Sequence, residues 1–291
     1  MKFNLGCLLA YEILQPSTLI FNIRPYNNNH QKINEETLEI TPKTEIEANN
    51  SDPDKENRYF RVNANPGKLE INYRATVETS PLLKESSPII EVSPAELPLE
   101  ILPYVLPSRY CQSDQLMQLA DSEFGNLLPG YSRVQAICNW IYEKVTYISG
   151  STDSQTSAYD TAIQRAGVCR DFAHLGIAFC RALNIPTRFV GGYAYGLNPP
   201  DFHAYFEAYL NNEWYLFDAT RLAPLTGTIR IGTGRDATDV SFATIFGAVK
   251  MEQMKVFIEP VFQQNTNFYP ELLPTTKAII TSNTLRVPKQ T

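Results

Sequence analysis

Apolar and polar residues alternate along much of the first hundred positions. Residues 38–40 and 69–73 place apolar side chains on one face of the chain and polar ones on the other, as half-buried strands do. The alternation predicts strands at 6–14, 18–24, 36–42, 59–64 and 68–79. A polar loop over 49–57 interrupts them. Short strands joined by turn-rich segments predict a small β-sandwich domain over residues 1–100.

The pattern changes after residue 80. Six prolines fall between residues 80 and 107, which predicts a semi-extended connector with a domain boundary inside it. Apolar residues from Val134 to Val145 then repeat at helical spacing. The sequence predicts helices at 113–124, 132–145, 154–165 and 169–183, and strands at 187–195, 202–210, 214–219, 228–231 and 254–260. Helices followed by strands predict an α+β domain over 101–291.

Composition narrows the classes of partner. A net charge of −6 and a pI near 5.2 argue against nucleic acid, whose phosphates require a basic surface. The sequence contains no apolar run of 18 residues, so we predict no membrane-spanning segment. The apolar residues after Lys2 are too few for a signal sequence and are interpreted as the first strand, which favours a cytoplasmic protein. The oligomeric state stays open.

Five cysteines without a CxxC pair predict free thiols rather than a zinc site or a disulfide framework. Cys169 differs from the others because it follows Gly167 at the predicted start of a helix. The unpaired N–H groups of a first helical turn favour a thiolate there. The small residues Ala173, Gly176 and Cys180 continue on the same side of the helix, so a sheet can approach it closely.

A predicted hairpin supplies the partners for this thiol. Asn211 and Asn212 tolerate positive φ and suit a two-residue type I′ turn, which pairs Leu210 with Glu213. This register places His203 and Asp218 on one face as diagonal neighbours, within reach of a side-chain hydrogen bond. A slip of one residue would separate them.

The three side chains form a chemically coherent set. A thiol needs a base to become a thiolate and an acid to protonate the leaving amine, and imidazole does both near neutral pH. We therefore predict Cys169 as nucleophile, His203 as base and Asp218 as the carboxylate that orients the imidazole. The backbone N–H of Cys169 and a second donor, Tyr147 or Gln155, would hold the oxyanion.

Three motifs carry a family resemblance. AGVCRDFA at 166–173, FHAY at 202–205 and WYLFDAT at 214–220 resemble the transglutaminase-like superfamily, and more narrowly its bacterial members described as candidate cysteine proteases with an N-terminal β domain. The resemblance implies a papain-like α+β catalytic core, preceded here by the small β-sandwich. It also implies the same roles for Cys169 and its two partners.

The resemblance implies an activity. We expect a cysteine-dependent amide acyl transfer through a thioester, with a protein or peptide substrate, and hydrolysis of a peptide or isopeptide bond rather than cross-linking. A protein-glutamine transglutaminase and a noncatalytic binding module that retains the fold are the alternatives. The stretch 234–240 is similar to a recurring segment of the bacterial relatives, and Arg235 or Asp236 is a candidate for substrate contact. No acidic loop resembles the calcium site of animal transglutaminases, so we predict no metal and no cofactor.

Neighbouring titratable residues have simpler interpretations. His174 lies five residues after Cys169, and five helical residues leave two side chains about 140° apart, so we predict a structural role for it. Asp171 in the first helical turn is interpreted as a capping charge. Glu207 shares the face of His203 but lies further along the strand. Asp218 is therefore the stronger candidate for the carboxylate that orients His203. The other four cysteines are expected to be buried and inert.

Overall fold

The computed structural model describes residues 1–48, 56–261 and 276–282. The first part of the chain is made of strands, as predicted. They are β1 (Lys2–Ile13), β2 (Ser17–Phe21), β3 (Gln31–Thr41), β4 (Ile46–Ala48), β5 (Phe60–Ala64), β6 (Gly67–Thr79) and β7 (Leu82–Lys84). The third strand begins five residues earlier than predicted, and neither β4 nor β7, which lies in the predicted connector, was predicted. Most of the predicted loop, residues 49–55, lies outside the described residues.

The second part supplies the helices and a further set of strands. In chain order they are α1 (Met117–Phe124), α2 (Tyr131–Lys144), β8 (Thr146–Tyr147), α3 (Ala158–Gln164), β9 (Ala166–Gly167), α4 (Cys169–Ala182), β10 (Thr187–Ala194), β11 (Phe202–Leu210), β12 (Glu213–Phe217), β13 (Thr228–Gly234), α5 (Ala237–Val240), β14 (Ala243–Phe246), β15 (Val249–Pro260) and β16 (Ala278–Ile280). The helices precede most of the strands, which confirms the predicted α+β organisation.

Two four-stranded sheets enclose the first core. One has the order β15-β1-β6-β3 and the other β14-β2-β5-β4. Along β1 and β6 every second side chain is buried, so each strand turns its apolar face inward. Leu9 and Ile71 from the first sheet pack in one cluster with Leu19 and Val62 from the second. The two sheets therefore form the predicted β-sandwich.

The sandwich contains two strands from late in the chain. β15 runs antiparallel to β1 from Phe3 opposite Pro260 to Ile13 opposite Val249, and β14 pairs with β2. Both sheets therefore combine residues from either side of residue 100, which the predicted division into 1–100 and 101–291 does not anticipate. The pairing is long-range, and no local pattern in the sequence specifies it.

The second core lies between α4 and an antiparallel sheet of order β12-β11-β10-β13. One face of β11, represented by Phe206 and Ala208, packs against α4 together with side chains from α1 and α2. Gly176 of α4 faces the Phe206 ring, and a Cβ at this position would lie 2.6 Å from it. The small residues of α4 thus allow the close helix–sheet approach that the sequence predicts.

A buried ionic cluster joins this sheet to the sandwich. Glu207 of β11 is fully buried and pairs with Arg188 at 2.8 Å and with Arg230. The Nε of Arg230 donates to the Tyr26 hydroxyl at 2.8 Å, and Gln31 of β3 donates to the Arg230 carbonyl at 3.0 Å. Burial alone would raise the pKa of Glu207, but the two arginines hold it below its ordinary value. The carboxylate is therefore ionised at neutral pH.

None of the helices in the described ranges is long and apolar enough to cross a membrane.

The buried cluster predicts a large effect of removing one charge. Glu207→Gln leaves Arg188 and Arg230 buried without their counterion, so we expect a loss of about 3–5 kcal/mol in the free energy of unfolding, measured by chemical denaturation. Glu252→Gln is the matched control, because its partner Lys250 is exposed and the expected loss is below about 1 kcal/mol. Equal losses in the two variants would contradict the assignment of Glu207 as the counterion of the two buried arginines.

Candidate active site

The start of α4 is fixed by a buried carboxylate. Asp171 Oδ2 accepts a hydrogen bond of 2.9 Å from the backbone N–H of Val168, and the Thr152 hydroxyl donates to the same oxygen at 2.7 Å. Arg170 pairs with the other oxygen at 3.0 Å. The predicted capping role of Asp171 is confirmed. The cap determines where the helix begins and so where Cys169 presents its thiol.

Tyr147 lies beside the thiol because two short strands pair. β8 and β9 are parallel, with Tyr147 opposite Gly167. A Cβ on Gly167 would lie 2.8 Å from Asp171 Cβ, so only glycine fits between the strand and the cap. The Tyr147 hydroxyl interacts with both the backbone and the side chain of Cys169. Burial and then the charge of Cys169 raise the pKa of Tyr147 to about 12.

The hairpin has the predicted turn and register. Asn211 and Asn212 have φ values of 47° and 63°, and Leu210 pairs with Glu213. This brings His203 and Asp218 together, and His203 Nε2 donates a hydrogen bond of 2.9 Å to Asp218 Oδ2. An even, two-residue connection therefore places both side chains on one face.

Thr220 holds the second oxygen of this carboxylate. Its backbone N–H and its hydroxyl each donate to Asp218 Oδ1 at 2.7 Å. The hydroxyl oxygen also lies 3.4 Å from His203 Nε2. This contribution of Thr220 was not predicted. The sequence does contain a signal for it, because the hairpin register, continued beyond the paired residues, places Thr220 opposite His203.

The electrostatics of the site favour an imidazolium. Burial alone would lower the pKa of His203, but the charge and hydrogen bond of Asp218, with a smaller contribution from Cys169, raise it to about 10. Nε2 is occupied by Asp218, and Nδ1 is buried without a hydrogen bond to the described residues. Because the Cys169 thiol is close enough to affect this ring, Nδ1 is the nitrogen available for proton exchange with it.

Cys169 and His203 line one cleft of about 270 Å³. Asp201, which precedes β11, and Phe202, its first residue, also line the cleft, and Gly191 and Gly192 come from β10. Cys169 is partly exposed in this cleft, whereas Cys7, Cys111, Cys138 and Cys180 are buried and free. Burial raises the pKa of all four of these thiols, to about 12 for Cys7, Cys111 and Cys180.

The remaining candidates are not brought to the thiol. The Gln155 carbonyl oxygen accepts from Arg109 at 2.8 Å, and neither residue lines the cleft. Arg235 is exposed and pairs with Asp239 at 3.0 Å. Asp236 caps α5 by accepting from Thr238 N–H and is buried. The next residues along this segment, Ala237 and Val240, line the cleft instead, because the cap turns Asp236 inward.

His174 has the structural position that its helical spacing predicts. It is fully buried, it stacks on Tyr110 with ring centroids 5.1 Å apart, and its Nε2 accepts from the Ala237 N–H at 3.1 Å. Burial lowers its pKa to about 3. The ring is therefore neutral at physiological pH. Among the described residues, no group of three or more histidine, cysteine or acidic side chains could hold a metal ion.

The comparisons with known proteins agree with this fold. A family model described as the transglutaminase-like superfamily matches residues 118–219, and one described as the bacterial transglutaminase N-terminal domain matches residues 1–100. The crystal structure of a candidate cysteine protease from Cytophaga hutchinsonii has 46% sequence identity and a TM-score of 0.89, covering 96% of this chain and 97% of that one. The class defined by fold and site is thus an α+β protein with a thiol cleft. The chain belongs to the transglutaminase-like superfamily.

Uncharacterized mycobacterial proteins are also similar. One from Mycobacterium leprae is 35% identical over 117 residues, which is 37% of this chain and 42% of that protein. One from Mycobacterium tuberculosis strain H37Rv is 28% identical over 207 residues, which is 62% of this chain and 66% of that protein. The matched regions therefore span less than half of the first protein and about two thirds of the second.

The geometry predicts the titration of His203. We expect its imidazole to titrate near pH 10, because Asp218 stabilises the charged ring. Asp218→Asn removes that charge while burial persists, so the pKa of His203 should fall below its ordinary value of about 6.5. Imidazole NMR of ¹⁵N-labelled protein measures both values.

The raised pKa of His203 also determines how its contribution to the stability of the fold changes with pH. A histidine whose folded pKa is raised stabilises the fold fully below pH 6.5, and this contribution is lost as the pH rises through about 10. Asp218→Asn should therefore cost more stability at pH 6 than above pH 10. His174 is the internal control, since its resonances should not titrate between pH 5 and pH 10. A wild-type His203 that titrates at about 6.5 would refute the charged pair.

Thr220 is predicted to position Asp218. Thr220→Val removes one of the two donors to Asp218 Oδ1, so we expect alkylation of Cys169 by iodoacetamide at pH 7 to slow by about tenfold. Thr220→Ser keeps the hydroxyl and should restore the rate and its pH profile. If the valine and serine variants react alike, the hydroxyl has no positioning role.

Proposed function

We propose that this protein is a cysteine-dependent enzyme that transfers acyl groups from amides through a thioester and hydrolyses a peptide or isopeptide bond. The observation that supports it most directly is the 2.9 Å hydrogen bond between His203 and Asp218 beside a partly exposed thiol at a helix start. The transglutaminase-like core and the similar candidate cysteine protease support the same class of chemistry.

The first half of the reaction forms the thioester. In the reactive form the Cys169 proton lies on His203 Nδ1, and the thiolate sulfur attacks the amide carbon. The carbonyl oxygen then carries the negative charge of a tetrahedral intermediate. When the C–N bond breaks, His203 returns the proton to the leaving nitrogen, and an amine departs. Asp218 keeps the imidazole in one orientation throughout.

The second half consumes a water molecule. His203 takes a proton from water, the hydroxide adds to the thioester carbon, and the C–S bond breaks to release a carboxylic acid. The proton returns to the Cys169 sulfur. Cys169 lies partly exposed in the cleft, which gives water access to the thioester and favours hydrolysis over transfer to a second amine.

Two groups beside the thiol are the candidates to stabilise the oxyanion. The backbone N–H of Cys169 has no intrahelical acceptor in the first helical turn, and the Tyr147 hydroxyl lies against it. The Tyr147 hydroxyl interacts with Cys169 and, with its raised pKa, stays protonated at neutral pH. This position favours Tyr147 over Gln155, whose side chain is engaged by Arg109. Preorganised donors of this kind stabilise the transition state directly.

Chemical labelling tests the nucleophile. We expect iodoacetamide at pH 7 to modify Cys169 selectively, because the other four thiols are buried with raised pKa values. His203→Ala should slow the modification by about 100-fold or more, since the thiol loses its base. Peptide mapping by mass spectrometry locates the label, and Cys169→Ala is the control that should take none.

A second assay with the same protein distinguishes hydrolysis from cross-linking. A glutamine-containing peptide supplied with a primary amine distinguishes release of ammonia or peptide from incorporation of the amine. Release of ammonia or peptide that disappears in Cys169→Ala supports hydrolysis. Incorporation of the amine would instead identify a cross-linking enzyme. A Cys169 as inert as the four buried thiols would identify a noncatalytic binding module.

A further inference from the structure

The cleft has a wall that comes from the sandwich. Asn22 follows β2, Phe242 precedes β14, Ala243 begins β14 and Met254 belongs to β15, and all four line the cleft with Cys169. The Asn22 N–H donates to the Phe242 carbonyl at 3.0 Å, so this wall is continuous with the sheet. One wall of the cleft is therefore built by the sandwich, outside the catalytic motifs.

Apart from Asn22 this wall is apolar, and the sheet that carries His203 completes it. The rings of Phe202 and Phe242 stack with centroids 5.1 Å apart and planes inclined by 18°. Phe189 and Val240 add further apolar side chains to the lining. Gly191 adds no side chain, and a Cβ there would lie 3.0 Å from Val240 Cγ1. The glycine keeps this part of the cleft clear.

Part of this apolar surface remains accessible. Phe202 and Phe242 are half-buried, and Met254 is 37% exposed. Exposed apolar surface that is continuous with a reactive thiol would be covered when an apolar group of the substrate enters. The cleft volume of about 270 Å³ is just below the range of about 300–1,000 Å³ typical of small-molecule sites, so it suits one side chain with its adjoining amide.

The charges of the cleft disfavour an acidic occupant. Arg170 is committed to Asp171 and to the Asp153 carbonyl, the latter at 2.6 Å. Asp201 lies at the edge with one oxygen held by the Phe202 N–H at 2.7 Å, and it makes no ion pair with a described residue. An incoming carboxylate would therefore meet the Asp201 carboxylate, while the imidazolium of His203 is already paired with Asp218.

We infer that Phe242 and Met254, together with Phe202 and Phe189, form a specificity subsite for a large aliphatic or aromatic side chain next to the scissile amide. The inference rests on the proposed function, because it assumes that Cys169 attacks the substrate bound here. It assigns the sandwich a direct part in substrate selection.

Peptidyl chloromethyl ketones test the subsite through the thiol itself. Two series of acylated dipeptide probes carry Phe, Leu, Ala or Glu, either at the residue next to the electrophile or at the residue before it. The second-order rate of Cys169 alkylation is measured by mass spectrometry. In one series the Phe and Leu probes should react at least about tenfold faster than the Ala probe, and the Glu probe should be slowest.

Substitution of the wall should remove this preference. In Phe242→Ala and Met254→Ala the ratio of the Phe to the Ala probe should fall towards one. Phe246→Ala and Met251→Ala are matched controls on β14 and β15, because these side chains are 60% and 41% exposed and do not line the cleft. Both controls should keep the wild-type ratio.

Reaction with iodoacetamide distinguishes failure of the proposed function from failure of the subsite. It is too small to use the subsite, so wall variants that fold should react with it as the wild type does. Wild-type Cys169 that resists iodoacetamide would overturn the proposed function. Normal reaction with iodoacetamide but no preference for Phe or Leu in either series would overturn the subsite alone, as would a preference that survives in both wall variants.

Discussion

The carboxylate of Glu207 lies in the interior with two guanidinium groups against it, and the relative placement of the two cores depends on this contact. Arg188 lies on β10 and Arg230 on β13, and Arg230 also reaches Tyr26 and Gln31 of the sandwich. Buried charges are tolerated only when their geometry is maintained. The cluster therefore fixes the strand that carries His203 relative to the sheets that wall the cleft.

The candidate site combines two rigid supports. A capped helix start presents the thiol, and a hairpin with a two-residue turn presents the imidazole and its carboxylate. Neither support needs a loop to move before the three groups meet. Low exposure around His203 strengthens its interaction with Asp218, since screening by water is reduced. The electrostatic arrangement that thiol chemistry requires is therefore already present before any substrate binds.

Local features of this arrangement could be predicted from the sequence. The asparagine pair specifies the turn, and the turn alone determines which residues of the hairpin share a face. Glycine before Cys169 and aspartate after it specify the helix start. The features that could not be predicted depend on long-range pairing or on a bend. Thr220 reaches Asp218 only because the chain turns after β12, and Asp236 points inward only because α5 begins there.

The late position of β15 in the chain has a consequence for biosynthesis. β1 is among the first segments to leave the ribosome, yet its partner along one edge is made only after Cys169, His203 and Asp218 have been synthesised. An open strand edge is prone to wrong pairing until its partner arrives. Because β15 also carries Met254, the cleft acquires this residue last, and its lining is complete only as the sandwich closes.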